Sequence, residues 1–193
     1  MRIGIFGGSF NPPHNMHLKM ATMLLSNDVV DRVIFVPTGS KYPKKGLATG
    51  IDRYEMIKLM INDISNLEVS DYELKQDLVY TYQTLDYFKN LYPNDEIFFI
   101  LGSDLLKNFD TWTNYQYILD NFKILVTLRN DDCIEEFNKL AFNHNNLIFT
   151  NVKLDILSST EIRSAIASKD ISFLNKNMNN DVIKYINSNN LYS

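Results

Sequence analysis

Short apolar runs alternate along this chain with stretches of helical periodicity. Six runs have the length of a strand, and the four strongest are continuous and rich in isoleucine, valine and phenylalanine. The four strong runs and then the two weaker ones are IGIF (3–6), VIFV (33–36), EIFFIL (96–101), KILVTL (123–128), LEVS (67–70) and LIFT (147–150). Apolar runs without polar alternation are typical of strands covered on both faces, so we predict a parallel sheet.

Helical periodicity fills the gaps between these runs. We predict helices whose apolar side chains recur every three or four residues over 15–26, 52–64, 81–92 and 158–167. Thr81 is the predicted N-cap of the third helix, and Ser158 or Ser159 that of the fourth. The alternation of strands and helices predicts an α/β fold, a doubly wound parallel sheet with right-handed crossovers.

The bulk composition fits one domain of this kind. The 193 residues are 45% hydrophobic and 12% aromatic, which is enough to bury a core. A net charge of −4 disfavours a basic face for long nucleic acid. The single cysteine, Cys133, excludes an internal disulfide framework and is typical of a reducing compartment. No signal peptide and no apolar run of about 18 residues is visible, so we expect a soluble, cytoplasmic protein without a membrane partner.

The stretch GIFGGSFNPPHNMH (4–17) carries the candidate chemistry. It joins the first strand to the first helix, at the edge of a doubly wound sheet where ligands bind. Gly7 and Gly8 suit a sharp turn or the close approach of a ligand. His14 and His17 lie at the start of the helix, whose unpaired N–H groups attract phosphate. We therefore predict a phosphate site here.

Other interpretations of these residues stay open from the residues alone. The glycine pair suits a simple tight turn, and His17 shares a stripe with Ala21 and Leu24, as a core histidine would. Histidines three residues apart can share a metal ion, but zinc needs three or four ligands and no neighbouring cysteine or acidic cluster completes a set. The absence of the two common phosphate-loop patterns disfavours a kinase and a dinucleotide dehydrogenase.

The segment GGSFNPPHNMH resembles the G-G-[ST]-F-[DN]-P-x-H-x-G-H signature of the HxGH nucleotidyltransferase superfamily. Four downstream segments appear in that family's order: VYTYQTL (79–85), GSD (102–104), LSSTEIRSAI (157–166) and VIKYINSNNLY (182–192). Together with Trp112 shortly after GSD, they resemble the bacterial nicotinate-nucleotide adenylyltransferases over nearly the whole chain. The resemblance implies one Rossmann-like domain over 1–193, with a small helical C-terminal part over about 155–193.

The resemblance also implies a reaction and its residues. ATP and nicotinate mononucleotide would give deamido-NAD and pyrophosphate, with Mg²⁺ held through the ATP phosphates rather than by a protein site. The implied catalytic residues are His14, His17 and Arg163. The implied ATP-side residues are Gly7, Gly8, Ser9, Phe10, His14, His17, Gly102, Asp104, Arg129, Ser158, Ser159, Thr160 and Arg163. Those on the pyridine side are Lys45, Tyr80, Thr81 and Trp112.

Several of these residues also have a plain structural interpretation. The Ser-Ser-Thr run is also typical of a helix cap, and Asp104 could be the N-cap of a helix over 104–109. Arg163 could lie on a solvated helix face. Trp112 suits a core or surface aromatic, and the lysines of the 37–50 connection suit a solvated basic loop.

The chain departs from the family pattern at two places. Met16 stands where the signature has glycine, and the segment GSKYPKKG lacks the usual P-P-H-K run. Two alternative functions therefore stay open: a sibling transferase with another phosphate acceptor, and a nucleotide-binding protein without turnover. The preference between nicotinate and nicotinamide mononucleotide and the formation of a homo-oligomer also stay open.

Overall fold

A computed structural model describes residues 1–39, 46–129, 132, 134–137, 139, 144–155 and 157–192. Within them, one parallel sheet of six strands has the order β3-β2-β1-β4-β5-β6. Its strands are β1 (Arg2–Gly8), β2 (Arg32–Pro37), β3 (Leu67–Val69), β4 (Glu96–Gly102), β5 (Lys123–Arg129) and β6 (Leu147–Leu154). The predicted α/β doubly wound fold is confirmed, and all six apolar runs are strands.

The continuous apolar runs exist because both faces of the sheet are covered. Along β1, Ile3 and Ile5 belong to one buried cluster, whereas Phe6 belongs to the other. Successive side chains of a strand point to opposite faces, so a strand between two helix layers needs apolar residues at every position.

Only some of the helices that cover the sheet could be predicted from the sequence. Four match predicted segments: α1 (Asn15–Ser26), α2 (Gly50–Ile61), α3 (Thr81–Leu91) and α7 (Ser159–Ser168). The last is α9 (Asn180–Ser188). A fifth, α4 (Ser103–Leu106), overlaps the helix considered over 104–109, and three short ones were not predicted: α5 (Tyr115–Asn121), α6 (Ile134–Phe137) and α8 (Ile171–Asn177). Short helices give too few turns for a periodic signal.

Two predicted caps are wrong. The N-cap of α3 is Tyr80, whose backbone N–H donates to Gln83 Oε1 at 3.0 Å, so Thr81 is the first residue of the helix. The N-cap of α4 is Gly102, and Asp104 lies in the first turn. The predicted cap of α7 is Ser158, whose Oγ accepts a hydrogen bond from Glu161 N.

The topology places a crevice between β1 and β4. These strands are neighbours, but the chain leaves β1 toward β2 on one side and β4 toward β5 on the other. Helices on opposite faces diverge at such a switch point, and ligands bind beyond the carboxyl ends of the strands there. Two cavities lie at this position.

The helices after β6 pack onto one face of the sheet. Val182 and Ile186 of α9 share a buried cluster with Val33 and Phe35 of β2. Among the described residues, no helix combines the length and the apolar character needed to cross a bilayer.

Candidate active site

The first cavity lies where the amino ends of α1 and α7 approach the carboxyl ends of β1, β4 and β5. Its volume is about 270 Å³. We name it the histidine cavity. All of the residues predicted for the ATP side line it, namely Gly7, Gly8, Ser9, Phe10, His14, His17, Gly102, Asp104, Arg129, Ser158, Ser159, Thr160 and Arg163. The structure thus brings together segments that lie about 150 residues apart in the sequence.

Hydrogen bonds join the loop after β1 directly to the start of α7. Ser159 Oγ donates to the carbonyl of Pro12 at 2.9 Å, and Arg163 Nη1 donates to the carbonyl of Asn11 at 2.8 Å. The loop after β1 and the start of α7 therefore face one space. Helix amino ends carry unpaired N–H groups and a partial positive charge, so this space favours an anion.

Gly7 and Gly8 do not form the sharp turn after β1 that the sequence allowed. Gly7 and Gly8 extend β1 and pair with Val36 and Pro37 of β2. The left-handed residue is Phe10, with φ of 44° and a ring buried against Phe6. What the glycines contribute is a strand end without side chains, and it forms a wall of the cavity.

The two histidine rings stack on each other with their centroids 3.8 Å apart. The backbone N–H of His14 donates to His17 Nδ1 at 3.2 Å. Because Nδ1 of His17 is an acceptor, the neutral ring carries its proton on Nε2 and keeps one N–H donor. Within the described residues, the buried Nδ1 of His14 has no hydrogen-bond partner. An unpaired polar atom in the wall of a cavity is a group that a bound ligand satisfies.

Both histidines are neutral at pH 7. Burial, with a smaller contribution from the charge of Arg129, lowers the pKa of His14 from its usual 6.5 to about 4. Burial also holds the pKa of His17 well below its usual value, aided by His14 and then Arg129. The pair therefore binds an anion through its N–H donors and adds no net positive charge of its own.

The lowered pKa of His14 predicts an acid-sensitive fold. Between pH 6.5 and about 4, His14 binds a proton in the unfolded chain but not in the folded chain, so the free energy of unfolding falls as the pH falls. We expect this histidine to remove about 2 kcal/mol of unfolding free energy between pH 7 and pH 5. Denaturant titrations at the two pH values measure the loss. His14→Asn keeps an N-cap residue but does not titrate, so its loss must be smaller; equal losses would contradict this prediction.

The three hydroxyls at the start of α7 all have partners. Ser158 Oγ donates to Glu161 Oε2 at 2.8 Å, in a capping box that lowers the pKa of Glu161. Thr160 Oγ1 accepts from Arg163 Nη2 at 3.1 Å. The capping interpretation of this run is therefore correct for Ser158. Capping by Ser158 is compatible with phosphate binding, because the amino end of α7 still lies at the cavity.

An ion pair lines the same cavity beside β4 and β5. Arg129 Nη2 lies 3.0 Å from Asp104 Oδ2, and the backbone N–H of Arg129 donates to Asp132 Oδ2 at 2.7 Å. Asp104 and Arg129 thus belong to one unit at the carboxyl ends of β4 and β5. The side chains at this end of the cavity present both an acceptor and a forked donor.

A second and larger cavity of about 570 Å³ lies on the other side of the β1 wall. We name it the tryptophan cavity. It is lined by Trp112, Tyr80 and Thr81, the described residues predicted for the pyridine side. The ring of Trp112 packs 5.3 Å from that of Phe109 and stays partly exposed. Both cavities share Gly7, Gly8, Ser9 and Leu105.

Lys45, the remaining residue predicted for the pyridine side, lies outside the described residues. Among those that line the tryptophan cavity, Glu73 is the charged side chain. Its carboxylate accepts a hydrogen bond from Thr84 Oγ1 at 2.6 Å, and burial raises its pKa. No three described histidine, cysteine, aspartate or glutamate side chains are grouped closely enough to hold a metal ion.

Comparison with known proteins assigns the family. Residues 5–165 match the cytidylyltransferase-like family, which is more than half of the chain. The chain belongs to the cytidylyltransferase-like family. The resemblance to the nicotinate-nucleotide adenylyltransferases noted in the sequence is confirmed too, since relatives of that name are 37% and 38% identical over 95% and 90% of this chain.

Relatives within the cytidylyltransferase-like family carry a more specific name. A protein of Endomicrobium trichonymphae named "probable nicotinate-nucleotide adenylyltransferase" is 37% identical over 95% of this chain and 96% of its own length. A protein of Fusobacterium nucleatum with the same name is 38% identical over 90% of this chain and 92% of its own.

A solved structure has the same fold. The nicotinic acid mononucleotide adenylyltransferase of Plasmodium falciparum, complexed with NaAD, matches with a TM-score of 0.81 at 22% identity. The match covers 99% of this chain and 97% of that one.

Two buried polar residues of this cytidylyltransferase-like chain were not predicted as part of the site. Arg53 of α2 is fully buried and donates to the carbonyls of Ser9, Thr38 and Ala48 at 3.0, 2.7 and 3.1 Å. Asn11 is 2% exposed, and its Oδ1 accepts a hydrogen bond from the backbone N–H of Ala48 at 2.9 Å. The asparagine lies inside the recognised signature, but nothing local marks the arginine, since its three partners lie after β1 and near both ends of the 37–50 connection.

Proposed function

We propose that this chain transfers AMP from ATP to nicotinate mononucleotide and releases pyrophosphate, which makes deamido-NAD. The observation that carries the proposal is the pair of adjoining cavities. One is flanked by two helix amino ends and suits a triphosphate; the other contains an exposed tryptophan face and suits a planar ring. They share the backbone of Gly7 and Gly8 together with Ser9 and Leu105, so two bound substrates would meet there. The names of the relatives support the same reaction.

The proposed chemistry needs charge stabilisation rather than a base. A 5′-phosphate oxygen of the mononucleotide attacks the α-phosphorus of ATP, and the bond from that phosphorus to the pyrophosphate oxygen breaks. The nucleophile is already an anion, so no proton has to be removed. Negative charge grows on the α-phosphate oxygens and on pyrophosphate, and fixed donors lower the barrier.

The roles of individual residues follow from their surroundings. His17 would donate its Nε2–H to the α-phosphate, since its Nδ1 is occupied by the backbone N–H of His14. The amino end of α7 and Arg163 would stabilise the β- and γ-phosphates. We propose that ATP enters as its Mg²⁺ complex, with the metal held by phosphate oxygens, which is how Mg²⁺ is commonly bound in phosphoryl transfer.

The tryptophan cavity would hold the pyridine ring against Trp112. Because the described lining contains no cationic side chain, we propose that the backbone N–H groups at the amino end of α3 bind the nicotinate carboxylate. Tyr80 and Thr81 lie at that helix end.

Acceptor selectivity tests the proposed function. Purified protein is given Mg²⁺-ATP with nicotinate mononucleotide, nicotinamide mononucleotide, phosphopantetheine or a polyol phosphate in parallel. We expect pyrophosphate with the nicotinate substrate and less with its amide. Turnover with phosphopantetheine or the polyol phosphate alone would establish the sibling transferase, and no turnover with any acceptor would reject an enzyme of this class.

Met16 motivates the alternative of a binding protein without turnover, because this side chain lines the histidine cavity. We expect Met16→Gly to lower the KM for ATP by about 3- to 10-fold, since about 1 kcal/mol of crowding is relieved. Steady-state kinetics of both proteins measure this, with Met23→Ala as a control, because Met23 is half-buried further along α1 and lines neither cavity. A higher KM in Met16→Gly would show that the methionine packs usefully against the nucleotide.

A further inference from the structure

Asn11 is the centre of a buried hydrogen-bond network beside the histidine cavity. Its Oδ1 accepts from Tyr192 Oη at 2.8 Å and from the backbone N–H of Ala48 at 2.9 Å. Its Nδ2 donates to the carbonyl of Gly46 at 2.9 Å. Its own carbonyl accepts from Arg163 Nη1 at 2.8 Å. One residue thus bonds to three distant segments of the chain.

The contact with Tyr192 is unlike the others because it links α9 to the site. Tyr192 follows α9, 181 positions from Asn11 in the sequence, and does not line either cavity. Its hydroxyl is largely buried, and this burial raises its pKa, so the group is a neutral donor at all physiological pH values. The Ala48 N–H and the Gly46 carbonyl set which way the Asn11 amide faces, and the Tyr192 hydroxyl, which donates to the same Oδ1, adds a further bond that holds the amide there.

Segment 46–48 depends on this orientation. The amide of Ala48 is held by Asn11, and its carbonyl is held by Arg53 Nε at 3.1 Å. Arg53 also bonds the carbonyl of Ser9, in the wall shared by the two cavities. A rotation of the Asn11 amide would therefore release Ala48 on one side and place two acceptors, Asn11 Oδ1 and the Gly46 carbonyl, against each other.

We propose that Tyr192 is a positioning residue for the nucleotide site, and that it acts through Asn11 on segment 46–48 and on Arg163. This inference rests on the proposed function for its kinetic part only. A buried, satisfied network in a low dielectric holds its members rigidly, which is what preorganised phosphate donors require. Tyr192 would thus set the geometry of a site that it does not touch.

The chain offers a matched control for this proposal. Tyr185 of α9 also uses its hydroxyl to bond across to another element, donating to Asp52 Oδ1 of α2 at 3.0 Å. Tyr185→Phe and Tyr192→Phe therefore each remove one hydroxyl that ties the same region of the chain to the body of the protein. Only Tyr192→Phe removes a bond to Asn11.

The first readout needs no catalysis. Hydrogen exchange of the Ala48 amide in the ligand-free protein is measured in both variants and in the parent protein. We expect exchange to be about 3- to 10-fold faster in Tyr192→Phe, the equivalent of one hydrogen bond, and unchanged in Tyr185→Phe. Equal exchange rates in the two variants would overturn the proposal.

The second readout separates positioning from general destabilisation. We expect Tyr192→Phe to weaken binding of a non-hydrolysable ATP analogue about 3- to 10-fold and to lower kcat/KM for ATP by a similar factor. The KM for nicotinate mononucleotide should change less than the KM for ATP, because Arg163 lines the histidine cavity and not the tryptophan cavity. Tyr185→Phe should change the KM of neither substrate. A uniform loss for both substrates would show a merely structural role.

A double-mutant cycle tests the route through Asn11. In an Asn11→Ala background, Tyr192→Phe should have no further effect, because its partner is absent. Asn11→Asp removes the donor to Gly46 but keeps an acceptor for Tyr192 and for the Ala48 amide, so there Tyr192→Phe must still speed exchange at Ala48, and this variant serves if Asn11→Ala does not fold. Additive losses in the alanine background would overturn the proposal. If the parent protein makes no pyrophosphate, the proposed function fails, yet amide exchange and analogue binding still decide on Tyr192.

Discussion

We expect His17→Ala to lower kcat by about 10²-fold or more, with a much smaller change in the KM for ATP. His17 has one usable donor, Nε2–H, because its Nδ1 accepts from the backbone of His14. A donor that meets charge only as it develops contributes mainly to the transition state, and the loss of one such donor typically costs about 10²- to 10³-fold. Pyrophosphate release at saturating substrates measures the effect.

His144→Ala is the control for this experiment. His144 lies near Asp120, at 3.6 Å, and does not line either cavity. Its removal should leave kcat unchanged. A loss confined to KM in His17→Ala would assign this histidine to ground-state binding and contradict the role proposed here.

Arg163→Met should lower kcat/KM for ATP by about 10²- to 10³-fold. The guanidinium is a permanent charge whose position is fixed by Asn11 and Thr160, so it meets the phosphates without rearrangement. Arg163→Lys should recover only part of the loss, because an ammonium group cannot keep the forked contact and bind phosphate together. Initial rates over a range of ATP concentrations distinguish the three proteins.

The matched control lies on the same helix. Lys169 is exposed at the carboxyl end of α7, so Lys169→Met removes one positive charge far from the cavity. Its kcat/KM should stay within about twofold of the parent value, because an exposed charge at that distance is screened. Thermal melts of all variants show whether a loss of activity in Arg163→Met comes from a loss of folding. Full activity in a folded Arg163→Met protein would remove the arginine from the mechanism.

The sheet could be predicted because its signal is local. A strand with both faces covered must be apolar, and the four central strands have this property over most of their length, whereas the edge strands β3 and β6 expose Glu68 and Ile148. Helix bounds were less certain where a cap is unusual. Tyr80 caps α3 through its backbone and Gln83 rather than through a serine or threonine side chain.

The site was predictable to the extent that it consists of motifs. The histidines and the Ser-Ser-Thr run belong to short patterns, and the structure places them around one cavity. Arg53 and Tyr192 belong to no such pattern near the site. Each has a partner far along the chain, Ser9 for Arg53 at 44 positions and Asn11 for Tyr192 at 181 positions. Long-range contacts of this kind exist only once the chain has folded.

The wall between the two cavities has a consequence for inhibition. Gly7 and Gly8 put no side chain of their own between the histidine and tryptophan cavities, so we expect a single molecule to reach from one cavity into the other. A compound that tethers an adenosine to a pyridine carboxylate through a short anionic bridge would bind its second half at a high effective concentration. Its affinity should exceed that of either half by orders of magnitude, and the reaction product, which has this form, should leave slowly and compete with both substrates.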